Sequence, residues 1–351
     1  MAILNQIGPS PPTNIQPVNL NGLNYYLKYP YQIQDIEWDG LGDYYDLPEM
    51  AISIGSFYFG CKVKYIFPYC GLTDLLYLLF SVVPCKGVFL LKNEYPYYMY
   101  ILDKMQIPFR ELQYNLSGST LPNWRLPQDS SGHIFLISRP NSIFGNSYEL
   151  AAIECLVGAH PQVLFIVDEA YHVFSSKASA LSLLEKYPNI VCLKSASKEF
   201  SLPAIRLAWL FTQNTELLNS LYNRTFNTVS RLSEIWIKHI VMNQRQRHTD
   251  NIIYLMNERA RVEDSISNPR LKVLKGSETC MYMISMEHKT YHHLKSICEQ
   301  ELISPLFFND TDIYKRFMSY DNSTYYVRFN VWSEETDNRV IRILNSLTIS
   351  E

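Results

Sequence analysis

The stretch Ser195-Ala196-Ser197-Lys198-Glu199-Phe200-Ser201-Leu202-Pro203-Ala204-Ile205-Arg206 follows a short apolar run, Ile190-Val191-Cys192-Leu193. It sets a lysine beside two hydroxyls, with an arginine eight residues further on. A lysine attacks an aldehyde and forms an imine once its pKa falls well below the reference of about 10.4. Ser195 and Ser197, with the guanidinium fork of Arg206, suit a phosphate. A Ser-x-Ser-Lys segment by itself is common in surface loops, so the flanking sequence has to decide.

Upstream, Val163-Leu164-Phe165-Ile166-Val167 is a continuous apolar run, the pattern of a strand buried on both faces of a parallel sheet. Asp168-Glu169-Ala170-Tyr171 follows it. Residues 178–187 read as a helix with Leu181, Leu184 and Tyr187 on one stripe, ended by Pro188-Asn189. Ile190 to Leu193 is then the next strand. A strand-helix-strand unit of this kind crosses over right-handedly and opens both strand ends on one edge of the sheet. Asp168 and Lys198 then meet over one ligand. An aldehyde and a phosphate on one ring describe pyridoxal phosphate, and an acid against its pyridine nitrogen makes the ring an electron sink.

Asp168-Glu169-Ala170-Tyr171, then Ser195-x-Ser197-Lys198-x-Phe200-x-Leu202-x-x-x-Arg206, resembles the fold-type-I aminotransferases. The nearest branch is that of histidinol-phosphate aminotransferase and threonine-phosphate decarboxylase, and the likeness extends from about residue 43 to the C-terminus. It implies an α/β fold: a mostly parallel seven-stranded sheet with helices on both faces, and a smaller α+β domain. Residues 1–47 would form an arm and part of the small domain, 48–245 the large cofactor-binding domain, and 246–351 the small C-terminal domain.

The resemblance also assigns roles. Lys198 would carry pyridoxal phosphate as an imine and move the proton at the substrate α-carbon, Asp168 would support the pyridinium, and Tyr171 would contact the phenolic oxygen. Leu72 and Thr73, after the glycine turn at Gly71, would join Ser195, Ser197 and Arg206 at the phosphate, where a helix N-terminus offers free N–H groups. In Tyr95-Pro96-Tyr97-Tyr98-Met99-Tyr100 the family pattern puts the stacking ring at Tyr97. The loop Arg139-Pro140-Asn141-Ser142-Ile143-Phe144-Gly145 departs from the family, which has an asparagine where Ser142 stands and a proline where Ile143 stands. Either Asn141 or Ser142 would then reach the phenolic oxygen. Arg328, in Val327-Arg328-Phe329-Asn330-Val331, would grip the substrate α-carboxylate. Tyr44 or Tyr45 would cross a homodimer interface to the neighbour's cofactor phosphate.

The chain has 351 residues, enough for one large and one small domain. Its net charge of −3 gives no reason to expect nucleic acid or an anionic membrane as partner. Seven cysteines, an odd number with no close pair at zinc spacing, fit free thiols in a reducing compartment such as the cytoplasm and suggest no metal site. Residues 1–17 lack the basic-then-apolar pattern of a signal peptide. No apolar run reaches the roughly 18 residues of a membrane span. Residues 214–265 read as largely helical, with Arg245-Gln246-Arg247-His248 as a solvated helix face.

The expected activity is amino transfer between an amino acid and a 2-oxo acid in amino acid biosynthesis. Decarboxylation or oxidation at the same site, and a non-catalytic binding protein on the same fold, are the alternatives. The stretch Leu302-Ile303-Ser304-Pro305-Leu306-Phe307-Phe308 lacks the arginine with which the resembling enzymes hold a side-chain phosphate, so a substrate without one is expected. Lys315 and Arg316 are the nearest cations in sequence that could replace it.

Overall fold

The apolar runs form the centre of one sheet. The computed structural model describes residues 18–20, 31, 36, 41, 47–112, 126–226, 229–317 and 324–348. After the short strand β1 (Val18–Leu20) and helix α1 (Glu49–Phe59), the large sheet is built from β2 (Ile66–Tyr69), β3 (Val88–Leu91), β4 (Phe109–Leu112), β5 (Ile134–Ser138), β6 (Leu164–Asp168), β7 (Ile190–Ser195) and β8 (Ala208–Phe211). Their order is β2-β8-β7-β6-β5-β3-β4. All pairs are parallel except the two made by β8, which runs antiparallel to β2 and β7.

Alternation along each strand feeds two cores. On β5, Phe135 and Ile137 point into one core, Ile134 and Leu136 into the other. On β8, Trp209 and Phe211 go one way, Ala208 and Leu210 the other. Helices α2 (Leu72–Val82) and α3 (Pro96–Lys104) cover one face. Helix α4 (Leu150–Ala159) covers the opposite face together with α1. The central strands β5, β6, β7 and β8 are therefore buried on both sides, which is why their runs show no polar alternation, whereas the edge strand β4 is largely exposed.

After β7 the chain makes a single helical turn, α5 (Ala196–Glu199), and returns through β8 to α6 (Thr215–Tyr222), α7 (Arg231–Asn243) and the long α8 (Arg245–Ser265). A second sheet follows. Its strands β9 (Lys272–Leu274), β10 (Met281–Met286), β11 (Ile303–Phe307) and β12 (Tyr325–Asn330) stand in the order β1-β11-β12-β10-β9. Helices α9 (His288–Gln300), α10 (Asp312–Phe317) and α11 (Glu334–Ser346) complete it. Its core takes Ile252, Leu255 and Val262 from α8 and Leu294 and Cys298 from α9. The segment at Val18 joins it by pairing in parallel with β11.

Two expectations fail here. Residues 178–187 do not form an α-helix; they hold only a 3-10 turn at Ala180–Leu183. The reason is the buried Glu169. Its carboxylate accepts from the Ala180 N–H at 2.8 Å and from the Ser179 hydroxyl, while Arg139 donates to Glu169 at 3.2 Å and to the Ala178 carbonyl at 2.7 Å. The backbone groups that would start a helix are thus tied to a buried charge cluster. Burial pushes Glu169 up, but Lys194, 2.7 Å away, holds the carboxyl at about 2. The second failure is His248. Arg245, Gln246 and Arg247 are exposed as expected, but His248 is buried, within 2.8 Å of the Tyr58 hydroxyl and 3.2 Å of the Tyr31 hydroxyl.

Candidate active site

Strands β6 and β7 run parallel with Asp168 opposite Leu193, so both C-terminal ends open on one edge. A cavity of about 330 Å³ lies there. Asp168, Tyr171, Ser195, Ser197, Lys198, Leu72, Thr73, Arg206, Ser142 and Arg328 all line it. A larger open hollow of about 690 Å³ along β9 contains none of them.

The phosphate-type groups are set by local backbone. Ser195 caps α5, its hydroxyl accepting from the Ser197 N–H at 3.3 Å. Gly71 has φ +87° at the N-terminus of α2, and a Cβ there would stand 2.8 Å from Cζ of Arg206. Only glycine lets the guanidinium lie against this turn. Arg206 itself sits in the left-handed region, at φ 49°.

Lys198 projects from α5 with its amine 5.3 Å from the centre of the Tyr171 ring. Burial, helped by the Arg328 guanidinium and opposed by Cys280, lowers the amine to about 8. That is the shift a nucleophilic lysine needs. Asp168 is buried at the end of β6. Its Oδ1 accepts from the Ala170 N–H at 2.9 Å and its Oδ2 from the Tyr98 hydroxyl at 2.5 Å. Burial raises this carboxyl to about 6, while the two donors and Lys194 favour its charged form. Arg328, on β12, is buried and donates to the Ser142 carbonyl at 2.8 Å.

The loop after β5 separates the two residues left open by the sequence. Asn141 Oδ1 accepts from the N–H groups of Ile143 and Phe144, both at 2.9 Å, so its amide oxygen closes its own turn, while its Nδ2 is buried without a hydrogen-bond partner and away from the cavity lining. Ser142 lines the cavity, and its hydroxyl is buried with no hydrogen-bond partner. A buried orphan hydroxyl facing the cavity matches a ligand oxygen.

Tyr97, the residue expected to stack on the cofactor ring, is not among the cavity-lining residues; Tyr95 is, with Tyr98 beside it. Pro96 occupies the first turn of α3, which makes Tyr95 the cap residue and turns Tyr97 toward Tyr100. Four tyrosines within six residues gave no sequence signal for which one faces inward. Tyr314 of α10 was also missed; it packs on Phe308 at 4.8 Å and lines the cavity. Tyr44 and Tyr45 lie outside the described residues. This set, two phosphate-type hydroxyls with an arginine, a softened lysine, a buried acid and an orphan hydroxyl, fits pyridoxal phosphate.

The model of the class I and II aminotransferases matches residues 68–344. The chain belongs to this family, whose members are pyridoxal-phosphate-dependent enzymes. Among relatives, a histidinol-phosphate aminotransferase of Chlorobaculum tepidum is 25% identical over 86% of this chain and 84% of its own. A second, histidinol-phosphate aminotransferase 2 of Idiomarina loihiensis, is 26% identical, but the match spans only about half of each chain, 54%. The fold is shared with L-threonine-O-3-phosphate decarboxylase of Porphyromonas gingivalis (TM-score 0.76, 15% identity, 94% of this chain and 98% of that one). A histidinol-phosphate aminotransferase of Clostridium acetobutylicum gives the same TM-score of 0.76 at 15% identity, covering 93% and 98%. The expected fold-type-I architecture is therefore correct.

Proposed function

We propose that the protein is an aminotransferase that moves an amino group between an amino acid with an uncharged side chain and a 2-oxo acid. The observation that carries this reading is the convergence of Lys198, Asp168 and Arg328 on one cavity. Bound pyridoxal phosphate supplies an electron sink for the pair left at the substrate α-carbon. Lys198 is the amine that would hold the cofactor and would hold or return the proton at the substrate α-carbon. Asp168 would face the pyridine nitrogen, Tyr95 would cover the ring, and Ser142 with Tyr171 would meet the phenolic oxygen. Leu72, Thr73, Ser195, Ser197 and Arg206 hold the phosphate. Arg328 binds the α-carboxylate as a fork.

The choice of an uncharged side chain rests on a count of cations. Among the described residues lining the cavity these are Lys198, Arg206 and Arg328, and each already has a partner in this scheme. Strand β11 brings no cation there, and Lys315 is exposed on α10 while its neighbour Tyr314 turns inward. Among the described side chains a substrate phosphate would find no counter-charge, at a large desolvation cost; the side chain of Arg316 lies outside them. The chain division at residues 48 and 245 is supported by the separate cores of the two sheets. A homodimer is supported by the exposed apolar side chains Phe57, Leu232 and Met242 on the neighbouring helices α1 and α7. Seven free thiols suit the cytoplasm.

Steady-state assays of neutral amino acids beside histidinol phosphate and O-phosphothreonine, reading 2-oxo acid, CO₂ and peroxide, test this. Turnover of neutral amino acids to 2-oxo acids, with lower kcat/KM on both phosphorylated compounds, is expected. Preference for a phosphorylated compound would refute the substrate class, and CO₂ or peroxide as main product would refute amino transfer.

A further inference from the structure

Tyr98 has no assigned part in the site, yet it makes the shortest contact to the acid on which the site depends. Its ring is buried in α3, its hydroxyl lies 2.5 Å from Oδ2 of Asp168, and it lines the cavity wall. Oδ1 is already taken by the Ala170 N–H at 2.9 Å. The carboxylate is thereby clamped from both sides. The groups around it do not do this. The Glu94 carboxyl, fully buried just before α3, accepts from the Ser138 N–H and hydroxyl and from the Tyr95 backbone, and Glu169 is engaged with Arg139 and Lys194.

We propose that Tyr98 is a positioning residue: its phenol holds Asp168 as a fixed carboxylate facing the cavity, ready for the pyridinium of the cofactor. This rests on the reading of Asp168 given above. Burial alone disfavours a charged carboxyl, and a donor at 2.5 Å counters that. Tyr98 keeps its own proton, because burial and the neighbouring Asp168 and Glu94 push the phenol well above its ordinary range. It is therefore a permanent donor. Removing it makes Asp168 bind a proton more tightly, and a neutral acid cannot pair with a pyridinium.

The test is cofactor affinity across pH, measured by titrating the cofactor-free full-length protein with pyridoxal phosphate. Tyr98→Phe keeps the ring and removes the hydroxyl. A hydrogen bond to a charged group predicts a loss of about tenfold or more near pH 6. That loss shrinks as the pH rises, because the carboxylate is restored by titration. Glu94, Glu169 and Lys194 are present in both proteins and cancel in the ratio. In an Asp168→Asn background, Tyr98→Phe should change nothing. A ratio independent of pH, or the same loss in the Asp168→Asn background, would mean that Tyr98 only packs, and would overturn the proposal. Asp168→Asn binding as tightly as the unaltered protein would instead overturn the assignment of Asp168 itself.

Discussion

Arg328 Nη1 donates to the Ser142 carbonyl at 2.8 Å, joining β12 of the second sheet to the loop that follows β5 of the first. The guanidinium proposed to bind substrate is thus held by the loop whose Ser142 lines the cavity. Its Cζ also stands 5.5 Å from the Phe308 ring. Arg328→Lys keeps the charge but loses the planar fork and this bracing. The expected result is a kcat/KM lower by about ten- to a hundredfold, from a charge-assisted hydrogen bond of roughly 1.5–3 kcal/mol. Steady-state kinetics with the preferred amino acid check it; unchanged kcat/KM would remove Arg328 from substrate binding.

Gly71→Ala places a methyl against Arg206 in a backbone conformation that alanine resists. The substitution should cost about 1 kcal/mol or more of stability and push the guanidinium away from the α2 turn. Thermal unfolding of the cofactor-free protein reads the first effect and pyridoxal phosphate titration the second. Full affinity would show that Arg206 does not need this turn.

Tyr95 and Tyr97 are 5.1 Å apart between ring centres, but only Tyr95 faces the cavity. Tyr95→Ala should weaken cofactor binding by about tenfold, in line with an aromatic contact of roughly 0.5–1.5 kcal/mol plus lost burial. Tyr97→Ala should leave affinity near that of the unaltered protein. The reverse order would restore Tyr97 as the stacking residue.

This pair shows where the sequence was readable and where it was not. Asp168 and Lys198 were legible because each ends or follows a strand, and strand ends are marked by an abrupt stop in apolar residues. Arg328, inside β12, was legible only through the family resemblance of Val327-Arg328-Phe329-Asn330-Val331. The tyrosines of α3 lie on a helix whose exact start decides which ring turns inward, and Pro96 fixes that start only in three dimensions. Residues 178–187 misled because Leu181, Leu184 and Tyr187 have helical spacing, while the deciding partner, Glu169, is remote in sequence. Strand β11 was hidden because Pro305 interrupts a run otherwise fit for a strand.

The Lys198 amine gives a pH signature in the protein without cofactor. The unfolded lysine keeps its proton to about 10.4. In the folded state it releases it at about 8. Between those values the unfolded chain binds more protons, so stability contributed at this site rises with pH and is lost as pH falls through that window. Relative to Lys198→Met, the cofactor-free protein should therefore gain in thermal stability from pH 8 to 10. A flat difference would show that the amine is not held in the way proposed.

The most direct measurement is reduction of the cofactor-loaded protein with borohydride, followed by proteolysis and mass mapping. The account predicts one pyridoxyl adduct, on Lys198, and none after Lys198→Ala. An adduct on another lysine, such as Lys194 four residues earlier, or no adduct at all, would contradict it.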